Sequence, residues 1–367
     1  MMGWTLPYQF GVKTVAANTP VEVRMTPQKD IVFARGEVVG KGGAAWILDH
    51  AANASATAVN RILKAGGVVR WARKAFTSGG AAYPEGAIIV EKAGSASPTA
   101  LAKDLGLRIT ALSETPKVPV TALRTPRLGV YQSWVPSEEE GWLRLILEQH
   151  EFSYTTLHDA DVKAGSLKVN YDVIILPDHY APRILVDGWE TGIMPQKYVG
   201  GLGTAGLNNL KAFVEAGGTL VFMNGTAALA TDSFGVAARN VLKDAKREEF
   251  ICSGALLRVE FDTAHPLAYG MARSAPAVFA GGCSFDIFPS FEPGKEVKSV
   301  AKFPVENLLL SGWIYGERYL RQKSAIVEAP LGKGKMILFG IPVTYRAMSY
   351  GTFKLIFNAI FYGAAAS

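Results

Sequence analysis

Two short, unbroken apolar runs constrain this chain more than any other feature. VIIL within YDVIILPD (171–178) and LVFM within TLVFM (219–223) show no alternation of polar and apolar side chains. A strand of that kind is buried on both faces, as in a parallel sheet covered by helices on each side. Between the two runs, LNNLKAFVEAGG reads as a helix closed by Gly217. Upstream, RLGVYQSW reads as a strand joined by a very short loop to the helix of SEEEGWLRLILEQHE. In that helix Ser137 and Glu140 have capping-box spacing, and Trp142, Leu145, Ile146 and Gln149 mark the expected face. Strand and helix alternating in this way imply an open, doubly wound, mainly parallel sheet.

Both flanks read differently. Up to about residue 124 the chain alternates extended segments (VEVRM, AAWILDH, VVRWARKAF, GAIIVEK) with two helices. SATAVNRILKAG places Val59, Ile62 and Leu63 on one face, with Ser55 near its start and Gly66 to stop it, while SPTALAKDLG begins with Ser97 before Pro98. This is a smaller α/β domain (1–124), and the three-proline stretch SETPKVPVTALRTPR is its expected linker to a second domain (125–367). The last third is strand-rich: LLRVEFD, KSVAKF, and SAIVEAP paired with KMILFGI through LGKG suggest antiparallel additions. GTFKLIFNAIFYG closes the chain as an amphipathic helix with Phe353, Phe357 and Phe361 in the core.

The segment GGTLVFMNGTAALA (217–230) has the strand, sharp glycine turn and helix of a nucleophile elbow. Glutamine amidotransferase-like sheets carry a C-x-G pattern there, and the cysteine position is held by Met223. A thioether cannot become an attacking thiolate, so Met223 is a degenerate nucleophile position. The base such chemistry needs would follow a late strand, yet ILFGIPVTYRAM contains no histidine. Thr226 has no evident base, and no G-x-S-x-G pattern surrounds the turn.

Other chemistries find less. The five histidines, His50, His150, His158, His179 and His265, form neither H-E-x-x-H nor H-x-x-E, so no zinc site is expected within this chain. His158 with Asp159 and Asp161 reads as a strand-to-loop junction rather than a cation site. GGLGTAG (200–206) reads as a loop before a helix starting near Leu207, and GKGK (332–335) as a turn rather than a phosphate loop. Cys252 and Cys283 lie in apolar surroundings as inert thiols, and whether they pair stays open. A net charge of +6 spread over 38 basic and 32 acidic residues, with no basic run, argues against nucleic acid, and no stretch is long and apolar enough to span a membrane. What remains is the crevice at the carboxyl ends of the strands. It would present Gln132, Ser133 and Trp134, then Asp178 and His179, then Asn224. Trp134, Asp178, His179 and Asn224 suit a sugar or peptide, and they are equally consistent with loops that bind nothing.

Several separated segments carry a resemblance over nearly the whole chain: GWTLPYQFGV, PRLGVYQSWVPSEEEGWLRLILEQHEFSYTTLHDADVKAG, YDVIILPD, HPLAYGM, LLSGWIYGERYL and GKGKMILFGIPVTYRAMSYGTFKLIFNAIF. Together they resemble the C-terminal, amidotransferase-like accessory region of large bacterial carboxypeptidase A-like zinc peptidases. The resemblance implies a class I glutamine amidotransferase-like, flavodoxin-like fold and a family activity of metallocarboxypeptidase. It also implies export to the periplasm or outside, although MMGWTLPYQFGVK lacks a signal-peptide core. Zinc and catalytic residues would belong to a preceding peptidase domain, in cis or in trans, and none maps onto this sequence. The expectation is therefore a non-catalytic accessory region without a cofactor of its own, or alternatively a module binding carbohydrate or cell-wall peptide.

Overall fold

A computed structural model describes residues 5–12, 15, 17–32, 34–179, 181–290 and 292–365. Gly3 and Trp4, which open the first resembling segment, lie outside the described residues. The fold is mixed α/β, with parallel and antiparallel pairing in two large sheets.

The larger sheet contains the two apolar runs. Its parallel half runs Thr155–Leu157, Leu128–Tyr131, Val173–Leu176, Thr219–Met223 and Gly334–Phe339. Every residue of Val173–Leu176 and Thr219–Met223 is buried, as expected of strands covered on both faces. Past Gly334–Phe339 the sheet turns antiparallel through Ser324–Leu331, Lys298–Lys302, Ala255–Phe261 and Ser274–Phe279. The hairpin through LGKG is among these pairs, with Gly332 at φ 60° in its turn.

The first unit is a six-stranded sheet with two helices, Ala54–Lys64 and Pro98–Leu105. Ser97 caps the second by accepting from Ala100 N, as the Ser-Pro signal predicts. Three expectations fail here. VEVRM forms no strand, and Val21, Val23 and Met25 are exposed. Alternation supplies a buried face only where a sheet edge is in reach, and 21–25 pairs with none. Ser55 does not cap its helix, because its hydroxyl donates to Asp49 O. The proline-rich stretch is more than a linker: Val120–Ala122 within it is an edge strand pairing with Val68–Ala72.

Further corrections concern helices in the larger unit. Helix Glu138–Gln149 buries Glu140, Leu143, Ile146 and Leu147, and Leu145 is 37% exposed, so the inward face lies off the expected one. The helix before Thr219–Met223 spans Gly203–Glu215, which places the last four residues of GGLGTAG in its first turn. The closing helix, Phe353–Ala364, is not amphipathic, since every residue from 353 to 361 is buried. Such all-round burial requires neighbours on all sides.

Those neighbours are the two sheets. A single apolar cluster runs from Leu48, Val59, Ile62 and Trp71 of the first unit through Phe353, Phe357 and Phe361 to Val173 and Val221 of the larger sheet. Gly363 has no Cβ, which would sit 2.7 Å from Val173 Cγ2, so the helix can lie directly against the sheet. On its other side a polar node crosses the seam. His50 Nε2 meets Asn358 Oδ1 at 2.7 Å and His50 Nδ1 meets Gly86 O at 2.6 Å. Asn358 Nδ2 donates to Leu267 O (3.1 Å) and Tyr269 O (2.8 Å). Asn358→Leu would leave two buried carbonyls and an imidazole nitrogen without partners. It is expected to lower stability by about 3 kcal/mol, read from the urea midpoint, with near-isosteric volume ruling out a cavity effect.

Candidate functional site

The crevice is lined by the loops 132–137 and 177–179, which leave the carboxyl ends of two parallel strands, and by His158, which follows a third; the loop 224–226 after Thr219–Met223 stands behind them. The loop after Leu128–Tyr131 is six residues long, longer than the sequence suggested, and it carries one wall of a cavity of about 270 Å³. Trp134, Asp178 and His179 share that cavity with His158 and Glu140. Three of the four expected residues therefore converge. Asn224 does not line the cavity, and at 3% exposure it acts from behind.

Asp178 is the centre of this arrangement. Its carboxylate accepts from Asn224 Nδ2 at 2.6 Å and from the Gly225 amide at 2.9 Å. The turn residue with left-handed backbone is Asn224 (φ 47°), one position beyond Met223. At Gly225 a Cβ would stand 3.0 Å from Asp178 Oδ1 and from His179 O, so a larger residue would press on the carboxylate. The elbow thus folds around a carboxylate. Ser137, expected to cap its helix, instead donates to Asp178 O at 2.7 Å, and Glu140 pairs with Arg144 rather than reaching back. The capping-box residues are taken up by the crevice.

Electrostatics follow from burial. Burial raises the Asp178 pKa to about 6, against the pull of its hydrogen bonds. Burial, then the nearby Asp178 charge, raises Glu139 to about 7, with Arg346 opposing. Arg346 and Ala347 both adopt left-handed φ (48° and 51°) in the turn after Gly334–Phe339. Positive-φ residues that are not glycine thus occur in the turns after two of the parallel strands, one beside Asp178 and one beside Glu139, and such backbone persists only where surrounding contacts enforce it. His179 is 1% exposed, burial lowers its pKa, and its Nδ1 accepts from Ala181 N at 3.3 Å.

Trp134 forms the aromatic wall. Its ring stacks on His158 at 3.9 Å and 8°, with Tyr198 edge-on at 4.7 Å. His158 Nδ1 meets Gln132 O at 2.9 Å, and Trp189 Nε1 donates to Trp134 O at 2.9 Å. Asp161 accepts from His158 N within the local turn, and Asp159 accepts from the Tyr131 hydroxyl at the end of the neighbouring strand, so both side chains are structurally engaged. Among the described residues, no group of three or more His, Cys, Asp or Glu is placed to hold a metal ion.

The nucleophile positions are structural. Met223 is 2% exposed and belongs to the core. Thr226 is fully buried, its hydroxyl donating to Met223 O and accepting from Met223 N. Cys252 and Cys283 are unpaired with each other. Cys283 lies behind the elbow, its Sγ donating to Asn224 O at 3.6 Å, and burial pushes its thiol up to about 12. His265, the histidine nearest in sequence, faces Glu328 at 3.5 Å.

Sequence reasoning passed over Glu139, Arg346 and the role of His158. The acidic SEEE is plain at the helix start, but only folding brings its middle carboxylate within reach of the Asp178 charge. Nothing in ILFGIPVTYRAM marks Arg346.

No protein-family model and no curated protein matches this sequence. Similar solved structures include the cytoplasmic protein STM3548 from Salmonella typhimurium, at 14% identity and TM-score 0.41, covering 65% of this chain and 99% of that one. A ThuA-like protein from Bacteroides uniformis is 13% identical with TM-score 0.36, over 65% of this chain and 92% of that one. A beta-galactosidase from Bacillus circulans is 8% identical with TM-score 0.36, over 66% of this chain and 31% of that one.

The raised carboxyl pKa values carry a sign. Between about pH 4 and pH 7 the folded chain binds more protons than the unfolded chain through Glu139 and Asp178. Their contribution to stability is therefore full below pH 4 and is lost as pH rises through 7. Urea titrations at pH 5 and pH 8 should show a smaller loss over this interval in Glu139→Gln than in the parent chain.

Proposed function

We propose that this chain is a non-catalytic, class I glutamine amidotransferase-like accessory module of a zinc carboxypeptidase-like protein, and that its strand-end crevice binds a carbohydrate. In this reading residues 1–124 and 125–367 are its two domains, the second a doubly wound sheet with antiparallel additions. The observation that carries the non-catalytic part is the elbow itself. The left-handed position is Asn224, which donates to Asp178, while Met223 and Thr226 are buried in the core. A nucleophile needs an exposed atom and a base within reach, and this turn spends its polar groups on holding a carboxylate. The accessory role rests on the sequence resemblance.

Carbohydrate binding is favoured by a separate observation. Trp134 is already stacked and half-buried beside Asp178 in one cavity, so its ring is held in place before any ligand arrives. A fixed aromatic face next to a hydrogen-bond acceptor suits a sugar, which presents an apolar C–H face and hydroxyl edges. Preordering lowers the cost of binding.

Two measurements test the reading. The purified chain, assayed for zinc by elemental analysis and for release of C-terminal residues from peptides, is expected to show neither stoichiometric metal nor turnover. Either one would remove the non-catalytic part. Calorimetric titration with cell-wall oligosaccharides is expected to show binding that Trp134→Ala weakens at least about tenfold, ~1.4 kcal/mol. Equal affinity of parent and variant would place any sugar elsewhere.

A further inference from the structure

A second cavity lies where the short helix Leu6–Phe10 packs near the start of Phe353–Ala364. Its volume is about 820 Å³, and its walls include Tyr8, Phe10, Tyr350, Asn53, Arg258 and Lys354. Phe10 and Tyr350 stack there at 4.8 Å and 8°. Lys354 is the unusual member. It is only 8% exposed, and its Nζ donates to Gly351 O at 3.1 Å. Among the described residues it forms no ion pair, whereas sixteen other cation–carboxylate contacts occur in the molecule.

Two features of the location disfavour an ammonium. The side chain is desolvated, and it belongs to the first turn of a twelve-residue helix whose N-terminal end is positive. Asp49 is the acidic group that opposes them, and the pKa falls to about 8, mainly through burial. A neutral amine is a nucleophile and an ammonium is not. Near neutral pH the free-base fraction exceeds that of an ordinary lysine by on the order of a hundredfold.

We propose that this cavity is a covalent site for an aldehyde or ketone bearing a planar ring and an acidic group, with Lys354 Nζ as its nucleophile. The Phe10–Tyr350 stack supplies a flat apolar wall for the ring, and Arg258 supplies positive charge for the acidic group. The amine lone pair attacks the carbonyl carbon to give a carbinolamine. Its oxygen then leaves as water while the nitrogen loses its protons, so a C=N bond replaces C=O with no change in oxidation state. A lysine kept here only for packing would not account for an unpaired cation on a cavity wall, since methionine fills that volume without the desolvation cost.

The test uses the whole chain and pyridoxal 5′-phosphate as the probe. After incubation at pH 7.5, reduction with borohydride and peptide mapping, the adduct is expected predominantly on Lys354, at least tenfold above any surface lysine. Lys354 modification should level off above about pH 8, while surface lysines continue to gain reactivity. In urea the selectivity should vanish. Lys354→Met is expected to fold and to take up about one adduct fewer per chain. Labelling spread evenly over surface lysines with Lys354 untouched overturns the proposal, as does equal uptake by a folded Lys354→Met. Should that variant fail to fold, the map and pH profile of the parent chain decide the matter alone.

Discussion

A helix buried on every side holds this molecule together. Phe353–Ala364 lies between the two sheets, and neither sheet could leave the other without exposing Phe353, Phe357 and Phe361 or Trp71. Its central polar residue strengthens the same junction, because Asn358 bridges His50 and two backbone carbonyls. Transfer of apolar surface supplies the drive, about 25 cal/mol per Å². The Asn358–His50 node supplies the register, because a shifted helix would leave several buried polar groups unpaired.

With the sheets fixed, the strand ends become a rigid frame for the crevice. Asp178 is held from three directions, by the Asn224 amide, the Gly225 backbone and the Ser137 hydroxyl on its own carbonyl. These contacts come from beyond the ends of the two strands that flank Val173–Leu176. The turn that would expose a nucleophile in an elbow is used here to orient a carboxylate, and the buried sulfur behind it, Cys283, is kept protonated by the same burial. The nearby Glu139 shares the disfavour of a second negative charge, which Arg346 partly offsets.

Much of the larger unit was legible because its strands announce themselves. VIIL and LVFM are apolar throughout, and only a strand covered on both faces tolerates that pattern, so both elements were placed correctly. Trp134, Asp178 and His179 could be placed together because each follows a strand of the parallel set, and parallel strands end on one side. Ser137, Glu140 and the closing helix were misread. A capping box and an amphipathic stripe are local patterns, and at these positions distant partners, Asp178 O for the one and the first sheet for the other, took precedence. VEVRM failed in the opposite sense: alternation was present, and no sheet edge was there to use it.

The sequence by itself determined where apolar strands and most helices lie, that the elbow carries no cysteine, and that no histidine follows the last parallel strand. These are statements about residue type and local order, which propensity and periodicity encode. Only the tertiary structure decided that Asn224 rather than Met223 takes the left-handed turn, that Glu139 comes within reach of the Asp178 charge, and that Lys354 lines a cavity with no ion pair among the described residues. Those depend on groups far apart in the chain whose energies change sign with burial, a quantity that no local pattern carries.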